Sequence, residues 1–405
     1  ETLHREPQVL VCAQSNTAVD WISERLVDRG LSVLRIGNPT RVDDKMLSFT
    51  YERRFESHPA YPELWAIRRE LRALQSRARR PDYAGREALR NRLSRLRDRA
   101  TALEVQINAD LFDSAHVIAS TLVGANHRLL HGRRFGTLFI DEAAQALEAA
   151  CWIAIRRADR VVLAGDHQQL PPTIKCPDAA RGGLERTLMQ RLAQTKPEAV
   201  SLLRVQYRMN EAIMQFSSRR FYQGLLQADP SVRHRGILDL DTPIDWIDTT
   251  GLDFKEQFVG DTFGRINRDE ADLLIRHLEA YVTRIGTARI QDERIDFGII
   301  SPYRAQVQYL RSRLRQSAVL RPIRDLLTAN TVDGFQGQER DVIFISLVRA
   351  NDQGQIGFLG DLRRMNVAIT RARMKLVILG EAATLARHPF YADLLAYIRR
   401  LHEAE

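Results

Sequence analysis

The sequence predicts an α/β fold in which parallel sheets are covered by helices on both sides. Two observations support this fold class: short apolar runs rich in Val and Ile recur along the chain, and helical stretches separate them. Runs of about 4–8 such residues are typical of strands that are buried on both faces. The chain has 405 residues, which is enough for two or three domains at about 100–200 residues each.

The predicted strands fall into two groups, within residues 8–205 and 240–380. They are residues 8–13, 116–120, 137–141, 160–166, 297–302, 341–348 and 375–380. The stretch from Ala228 to Asp241 separates the groups, because it combines Pro230 and Gly236 with several charged residues. We therefore expect a first domain at residues 1–47 and 110–230 and a second domain at 231–405.

Residues 48–109 are expected to form a helical hairpin inserted into the first domain. Apolar residues recur there at alternating spacings of three and four, which is typical of two helices packed along a seam. The first seam is Leu64, Ile67, Leu71, Leu74 and Ala78, and the second is Leu89, Leu93, Leu96, Ala100, Leu103 and Ile107. The turn-rich residues 80–85 would connect the helices, and the arginines would lie on the outside.

The positive charge of the chain is concentrated in this insert. The formal net charge of the whole chain is +9, and residues 65–100 hold twelve arginines against four acids, which is nearly the entire excess. Such a surface suits the phosphate backbone of nucleic acid, although an ordinary solvated helix face has the same composition. Arg90 and Arg97 are the candidate nucleic-acid contacts.

Lysine and cysteine usage narrow the possible functions. The chain has five lysines, none of which follows a glycine, so it contains no Gly-Lys-Ser/Thr phosphate-binding loop. Cys12, Cys151 and Cys176 lack the spacing of a zinc site or a disulfide framework. We expect each to be a small buried side chain in a protein of a reducing, cytoplasmic compartment.

No apolar run approaches the ~18–20 residues needed to cross a bilayer, so no membrane contact is expected.

Asp141 and Glu142 are the strongest pair of candidate site residues. They end the predicted strand Thr137–Asp141 and begin the next segment, and the carboxyl ends of strands are where α/β folds bind ligands. An aspartate and a glutamate at this position suit Mg²⁺ binding and the activation of water. The alternative is a helix N-terminus that carries acids for electrostatic reasons.

Three further polar segments hold candidate site residues, and two of them adjoin predicted strands. Gln168 or Gln169 would sense a phosphate or water, unless this segment is an ordinary loop. Arg208 would bind phosphate beside Tyr207, and Arg371 or Arg373 would act as an arginine finger. Each arginine has an alternative role as a surface or structural ion pair. Close to another predicted strand, Gly334 and Gly337 allow close approach of the backbone.

Eight segments occur in the order of the sequential motifs of superfamily 1 helicases, from motif Ia to motif VI. They are VLVCAQSNTAVD, ASTLVGA, LFIDEAAQA, LAGDHQQLPPT, VQYRM, IISPYRAQ, TVDGFQGQERD and NVAITRAR. Over residues 8 to about 397 the sequence resembles the family of the nonsense-mediated-decay helicase and the immunoglobulin mu-binding-protein helicases. The resemblance implies two RecA-like domains of the P-loop NTPase (AAA) class with ATP and Mg²⁺ bound in the cleft between them.

The resemblance also assigns roles to individual residues. Asp141 would hold Mg²⁺ and Glu142 would be the catalytic glutamate. The residues that would contact the γ-phosphate or complete the catalytic site are Gln169, Arg208 and Arg371. Those that would contact the nucleotide are Tyr207, by stacking on adenine, with Gly337 and Glu339. Those that would hold the nucleic-acid backbone are Ser15, Asn16, Thr121 and Gly124 in the first domain and Pro302, Tyr303 and Thr331 in the second.

The sequence departs from the family pattern at motif I. The family's GxxxxGK[ST] loop lies shortly before motif Ia, which begins here at residue 8. We expect a fragment of a longer protein that does not hydrolyse ATP by itself, with an interior gap in its first sheet where the motif I strand is missing. The parent would be an ATP-dependent helicase or translocase moving 5′ to 3′ on single-stranded RNA or DNA. The alternative is a non-catalytic nucleic-acid-binding or scaffold protein that has lost its P-loop.

Overall fold

The computed structural model describes residues 1–78, 86–260 and 264–403, and the predicted connection at 80–85 lies outside them, as does the side chain of Ala78. Contacts divide the chain into two compact units. Unit 1 comprises Glu1–His167 and Pro171–Ala199, and unit 2 comprises Gln168–Leu170 and Val200–Glu405. Residues 200–230, which the sequence placed with the first domain, therefore belong to unit 2.

The strands described in unit 1 form one parallel sheet. They are β1 (Val9–Ala13), β2 (Val33–Arg35), β3 (Val117–Thr121), β4 (Phe135–Asp141) and β5 (Ala158–Leu163). Their order is β2-β3-β1-β4-β5, and each neighbouring pair is hydrogen-bonded in parallel. The ladder is continuous, so the expected interior gap is absent. Exposed apolar surface occurs instead on the edge strand β5, where Val162 is 41% exposed.

The helices of unit 1 cover this sheet and form the insert. They are α1 (Asn16–Val27), α2 (Tyr51–Glu56), α3 (Tyr61–Ala78), α4 (Arg86–Asp113), α5 (Glu148–Ile155), α6 (Pro177–Ala179) and α7 (Leu188–Thr195). Ser15 caps α1, since its Oγ accepts a hydrogen bond of 3.1 Å from the N–H of Ala18. Leu103 and Ile107 of α4 share a core with Leu10 of β1, so the base of the hairpin is part of the core of unit 1.

The hairpin of α3 and α4 has the predicted seam. Leu74, Leu89 and Leu93 form an apolar cluster of their own, farther along the hairpin than the residues that join the sheet core. The arginines of residues 65–100 whose side chains are described are exposed, as predicted. Three of them nevertheless form ion pairs across the hairpin, which the sequence analysis did not anticipate: Arg68 with Glu104, Arg92 with Glu70, and Arg99 with Glu63.

Unit 2 contains a second parallel sheet. Its described strands are β6 (Val205–Gln206), β7 (Gln227–Ala228), β8 (Ile244–Asp248), β9 (Gln257–Val259), β10 (Gly264–Ile266), β11 (Phe297–Ser301), β12 (Leu327–Thr331), β13 (Arg340–Ser346) and β14 (Ala372–Gly380). The sheet order is β12-β11-β13-β14-β8. β9 and β10 form a separate antiparallel pair, and β6 and β7 a short parallel pair.

Helices pack on both faces of the second sheet. They are α8 (Glu211–Phe221), α9 (Arg268–Ile285), α10 (Thr287–Asp292), α11 (Arg304–Gln316), α12 (Leu362–Ile369), α13 (Ala382–Leu385) and α14 (Pro389–Glu403). Alternate residues of β13 enter different cores: Ile343 joins the cluster of α8, α12 and α14, and Phe344 joins that of α9 and α11. This alternation is the expected geometry of a strand buried on both faces.

A buried carboxyl group links α9 to the carboxyl end of β13. Glu270 is fully buried, and its Oε1 accepts hydrogen bonds from Ser346 Oγ at 2.5 Å and from the N–H of Val348 at 2.9 Å. Oε2 has no partner among the described residues. Burial raises the pKa of Glu270 from 4.5 to about 7, because the loss of hydration outweighs the stabilisation from these donors.

This raised pKa predicts a pH-dependent stability. Between about pH 4.5 and pH 7 the folded chain binds more protons at Glu270 than the unfolded chain does, so this group lowers the free energy of unfolding as the pH rises through that window. Glu270→Gln should remove this contribution, and the thermal midpoint should fall less between pH 5 and about 7.5 than in the wild type. Glu293→Gln, at an exposed pair with Arg289, is the control. Circular dichroism melts that shift in parallel for the wild type and Glu270→Gln would contradict the assignment.

Candidate functional site

The predicted site residues of unit 1 lie at the carboxyl end of its sheet. Asn16 follows β1 closely, Thr121 ends β3, and Asp141 ends β4. Because β1 lies between β3 and β4, these three strand ends are neighbours along one edge. The structure therefore brings the predicted nucleic-acid contacts of unit 1 close to its predicted catalytic carboxylates.

Asp141 and Glu142 occupy a tight backbone turn at the end of β4. Burial raises the pKa of Asp141 above its ordinary value, and a hydrogen bond with the backbone of Glu142 offsets only part of this shift. Glu142 has φ +51° and ψ +37°, a left-handed conformation that is unfavourable for a residue other than glycine. Its carboxylate accepts a hydrogen bond from Gln145. The backbone thus fixes the two acids in a strained turn of the kind found at functional sites.

Asp141 fits the role of a magnesium ligand. A partly desolvated carboxylate is stabilised in its charged form by a nearby cation. Within the described ranges, no group of three or more His, Cys, Asp or Glu side chains is arranged to hold a metal. Mg²⁺ in nucleotide-hydrolysing sites is bound by one or two carboxylates together with substrate phosphates and water, so one carboxylate at this position suits that mode of binding.

Asn16 is held in place by a buried arginine. Arg35, at the end of β2, is fully buried and donates from Nη2 to Asn16 Oδ1 at 2.9 Å. It also donates from Nε to Asp20 Oδ1 at 2.8 Å and from Nη1 to the Ile36 carbonyl at 2.6 Å. The amide oxygen of Asn16 is therefore occupied, and its NH₂ group is oriented as a donor. The sequence analysis missed Arg35, because an isolated arginine in a short strand has no recognisable pattern.

Thr121 and Thr331 begin the same type of turn in the two units. Thr121 Oγ1 accepts a hydrogen bond from the N–H of Gly124 at 3.0 Å, and Thr331 Oγ1 accepts one from Gly334 at 3.3 Å. A Cβ at Gly124 would lie 2.9 Å from Thr121 Oγ1, and one at Gly334 would lie 2.4 Å from the Asn330 side chain. Each turn thus requires glycine at its fourth position and follows the carboxyl end of a strand.

Pro302 and Tyr303 follow β11, which is adjacent to β12 and therefore to Thr331. The predicted nucleic-acid residues of unit 2 thus also share a carboxyl edge. The Tyr303 side chain is only 3% exposed, and its ring lies 5.8 Å from that of Phe358. In this conformation, nucleic-acid contacts at this position are open to Pro302 and the backbone rather than to the Tyr303 ring.

The predicted nucleotide contacts of unit 2 lie at the opposite, amino end of its sheet. Glu339 directly precedes β13, Arg371 directly precedes β14, and these strands are paired. Arg208 donates from Nε to the Glu339 carboxylate and from Nη1 to the Thr370 carbonyl at 3.1 Å. The structure therefore places Arg208, Glu339 and Arg371 together.

Glu339 is shared by two arginines. Its carboxylate accepts from Arg208 and, at 3.1 Å, from Nε of Arg373. Burial by itself would raise the pKa of Glu339, but these two guanidinium groups hold it below its ordinary value. Arg373 also donates to Asp341 at 3.0 Å. Arg373 was predicted only as the alternative arginine finger to Arg371, and its acidic partners are not evident from the sequence.

Arg371 is 2% exposed and is held by backbone and side-chain acceptors. It donates to the carbonyls of Val367 at 3.0 Å and Gln338 at 3.2 Å, and from Nη2 to Gln169 Oε1 at 3.3 Å. The predicted phosphate sensor, Gln169, is therefore hydrogen-bonded to a predicted arginine finger.

Two other predicted nucleotide contacts have suitable local geometry. Tyr207 is 68% exposed, so its ring is accessible for stacking. Gly337 has φ +74°, a conformation that glycine adopts without strain.

The cysteines are not part of any of these clusters. Burial raises the pKa of Cys12 to about 12 and that of Cys151 to about 11, so both thiols are protonated at neutral pH. Cys176 is exposed, contrary to the expectation that all three cysteines are buried. None of the helices in the described ranges has the length and apolar character needed to span a membrane.

The buried ion pair that orients Asn16 predicts a large effect on stability. Asp20→Ala leaves Arg35 buried without its carboxylate, which should lower the free energy of unfolding by about 3–5 kcal/mol. Glu24→Ala removes a partner of Lys45 in an exposed pair on the same helix and should cost less than about 1 kcal/mol. Denaturant unfolding of both variants measures the difference, and equal losses would show that Arg35 does not depend on Asp20.

Comparisons with known proteins identify the family of this chain. Two family models, each described as an AAA domain, match residues 1–177 and 184–383. The DNA-binding protein SMUBP-2 of Rattus norvegicus is 35% identical over 405 residues, which cover 96% of this chain and 40% of that protein. The regulator of nonsense transcripts 1 homolog of Arabidopsis thaliana is 34% identical over 408 residues, which cover 98% of this chain and 30% of that protein.

Among solved structures, an arterivirus nonstructural protein 10 helicase is 14% identical, with a TM-score of 0.42 and coverage of 93% of this chain and 53% of that one. The sequence relatives therefore carry the assignment, and the chain spans less than half the length of each of the two named above. The chain belongs to the superfamily 1 helicases, in the family of the nonsense-mediated-decay helicase and the immunoglobulin mu-binding-protein helicases.

Proposed function

We propose that this chain is the motor part of an ATP-dependent helicase or translocase that moves 5′ to 3′ along single-stranded RNA or DNA. One observation carries the proposal: Asp141 and Glu142 lie on the same sheet edge as Asn16 and Thr121. The proposed hydrolysis of ATP at the carboxylates would thus take place next to the residues proposed to hold the nucleic acid. The direction of movement is taken from the family resemblance.

In this proposal each acid of unit 1 has a separate task. Asp141 would hold a Mg²⁺ ion, which would supply charge neutralisation during phosphoryl transfer. Glu142 orients the attacking water and accepts its proton. The left-handed backbone at Glu142 fixes the position of its carboxylate.

Unit 2 contributes the positive charge. The forked guanidinium groups of Arg208 and Arg371 suit the oxygens of a transferring phosphoryl group. Arg208 is already paired with Glu339, so phosphate binding requires an exchange of one anionic partner for another. Gln169, bonded to Arg371, reports on the γ-phosphate through its amide.

The nucleic-acid contacts are proposed for both carboxyl edges. Ser15, Asn16, Thr121 and Gly124 would bind backbone phosphates from unit 1. Thr331 and the backbone of Tyr303 would do so from unit 2, with Pro302 in van der Waals contact with the strand. Nucleic acid as the partner is supported by the name of the rat relative, a DNA-binding protein.

The chain offers no Gly-Lys-Ser/Thr loop to bind the phosphates. We therefore propose that the chain by itself does not hydrolyse ATP. The experiments below use the full-length protein, with this chain as a separate sample.

Glu142→Gln should lower the turnover of ATP stimulated by nucleic acid about 10²–10⁴-fold, since it removes the general base. The affinity for ATP should stay near that of the wild type, because the amide is nearly isosteric with the carboxylate. Glu148→Gln, which alters a nearby glutamate paired with Arg191, should retain wild-type turnover. Steady-state hydrolysis with single-stranded RNA and DNA, together with a nucleotide-binding assay, measures both effects.

Unchanged turnover in Glu142→Gln would remove Glu142 from the mechanism. Absence of stimulated hydrolysis in the wild-type full-length protein would instead favour a non-catalytic nucleic-acid-binding protein. The proposed function would then fail as a whole.

Arg208→Gln should reduce single-turnover hydrolysis about 10³-fold or more, as expected for an arginine that stabilises the transition state. Arg208 is better suited to this test than Arg371, because Arg371 is buried and also satisfies the carbonyls of Val367 and Gln338. The matched control is Arg204→Gln, four residues away and exposed. Equal rates for the two variants would show that Arg208 does not act on the nucleotide.

A further inference from the structure

The two sides of the helical hairpin differ in how their charges are arranged. A helix turns by about 100° per residue, so residues separated by seven positions lie on the same side of the seam. Arg92 and Arg99 of α4 therefore lie on one flank, facing Glu70 and Glu63 of α3. We define this paired flank as Glu63, Glu70, Arg92, Arg95 and Arg99. The open flank, on the other side of the seam, is defined as Arg68, Arg72, Glu87, Arg90, Arg97 and Glu104.

Two of the three arginines of the paired flank are neutralised by glutamates, whereas Arg95 donates from Nε to the carbonyl of Asn91 and has no acidic partner among the described residues. Arg99 binds Glu63 with both ends of its fork, from Nε to Oε1 at 2.7 Å and from Nη2 to Oε2 at 3.0 Å. Arg92 pairs with Glu70 one helical repeat away. These interactions join α3 to α4. The presence of Arg92 and Arg99 is therefore explained by their contribution to the stability of the hairpin.

Among the described residues, the open flank has one ion pair, whereas the paired flank has two. Arg68 pairs with Glu104 at 2.6 Å. Arg72, Arg90 and Arg97 are exposed and have no acidic partner among the described residues. Arg72 donates from Nε to the carbonyl of Arg68, which leaves its charge uncompensated. Like charges on one flank repel each other and weaken the hairpin, so the packing of the hairpin does not explain them.

The open flank continues into a cavity at the base of the hairpin. The cavity has a volume of about 470 Å³, and its charged lining consists of Arg68 and Arg128 together with Glu52, Glu56 and Glu104. Arg128 follows Gly124 by four residues in the loop after β3. Within unit 1, Arg128 and Arg68 connect the proposed backbone-binding turn to Arg97 and Arg90. The three glutamates of the cavity compensate the charge of Arg128 and Arg68, so the uncompensated charge lies farther along the hairpin, at Arg97 and Arg90. Arg90 and Asn108 are about 27 Å apart along α4, at about 1.5 Å per residue.

We propose that the open flank binds the phosphate backbone of the single strand held at Thr121 and Gly124, and that the paired flank does not contact it. The inference rests on the proposed function, since it extends the nucleic-acid surface of unit 1 along one side of the hairpin. It assigns phosphate contacts to Arg90 and Arg97 and excludes Arg92 and Arg99, although all four arginines are exposed on the same helix.

The test compares two double variants of the full-length protein, Arg90→Gln with Arg97→Gln and, as the matched control, Arg92→Gln with Arg99→Gln. Each removes two exposed arginines from α4. The affinity for a labelled single-stranded oligonucleotide is measured by fluorescence anisotropy over a range of salt concentrations, with RNA and DNA of the same sequence. Because each phosphate contact on a single strand contributes about 0.7 to the slope of log K against log salt, the open-flank variant should have a slope shallower by about 1.4. The control should keep the wild-type slope.

Lysine at positions 90 and 97 keeps the charge, so Arg90→Lys with Arg97→Lys should restore the slope. This rescue also separates loss of contact from loss of folding. Equal slopes for the open-flank variant and the wild type would overturn the proposal, as would an equal reduction in the paired-flank control.

Nucleic-acid-stimulated ATP hydrolysis of the same samples distinguishes this inference from the proposed function. Wild-type hydrolysis together with an unaltered slope in the open-flank variant would overturn the flank assignment and leave the proposed function standing. Absence of stimulated hydrolysis in the wild type would overturn the proposed function, whatever the slopes show.

Discussion

The parallel pairing of adjacent strands is the constraint on which the candidate sites depend. In a parallel sheet all carboxyl ends reach the same edge, so residues that are distant in sequence become neighbours. In unit 1 this pairing places Asn16, Thr121 and Asp141 at adjacent strand ends. In unit 2 it separates two proposed sites, because Thr331, a proposed nucleic-acid contact, lies at the carboxyl edge and Glu339, a proposed nucleotide contact, lies at the amino edge. Strand β13 begins beside Glu339 and ends at Ser346, and its buried residues make it a rigid connection between those edges.

Buried arginines supply the second level of organisation. Arg35 and Arg371 are almost fully buried, and each donates to a residue with a proposed function, Asn16 and Gln169 respectively. A buried guanidinium group needs several acceptors, since leaving one unsatisfied costs free energy. The surrounding backbone carbonyls and carboxylates therefore determine the position of the guanidinium group. The residue to which this group donates is held in a fixed position in turn. Arg208 differs, because it is only partly buried and its carboxylate partner is shared with Arg373.

The sequence was sufficient to predict those elements whose burial pattern lies within their own residues. All seven predicted strands are present, and the hairpin seams follow from apolar spacing, since burial of each element is encoded in its own residues. β12 was missed because Leu-Thr-Ala-Asn-Thr has little apolar character, and β8 because aspartates interrupt the apolar residues of Ile-Asp-Trp-Ile-Asp. β2 was missed because it is only three residues long. The expected gap in the first sheet was wrong because strand order is a tertiary property that no single strand encodes. The site residues came from ordered motifs, whereas the role of Arg35 depends on contacts that a sequence pattern does not contain.

The hairpin shows how structure changes the meaning of composition. A count of arginines and acids describes the segment as one basic surface, and either solvation or nucleic-acid binding explains such a surface. The ion pairs remove Arg92 and Arg99 from that count, because Glu70 and Glu63 compensate them. Stability would favour the same arrangement on the other flank, where acids opposite Arg90 and Arg97 would strengthen the hairpin. The uncompensated charge is therefore unfavourable for the isolated hairpin, and the proposed phosphate backbone along the open flank would offset it by supplying the missing anions.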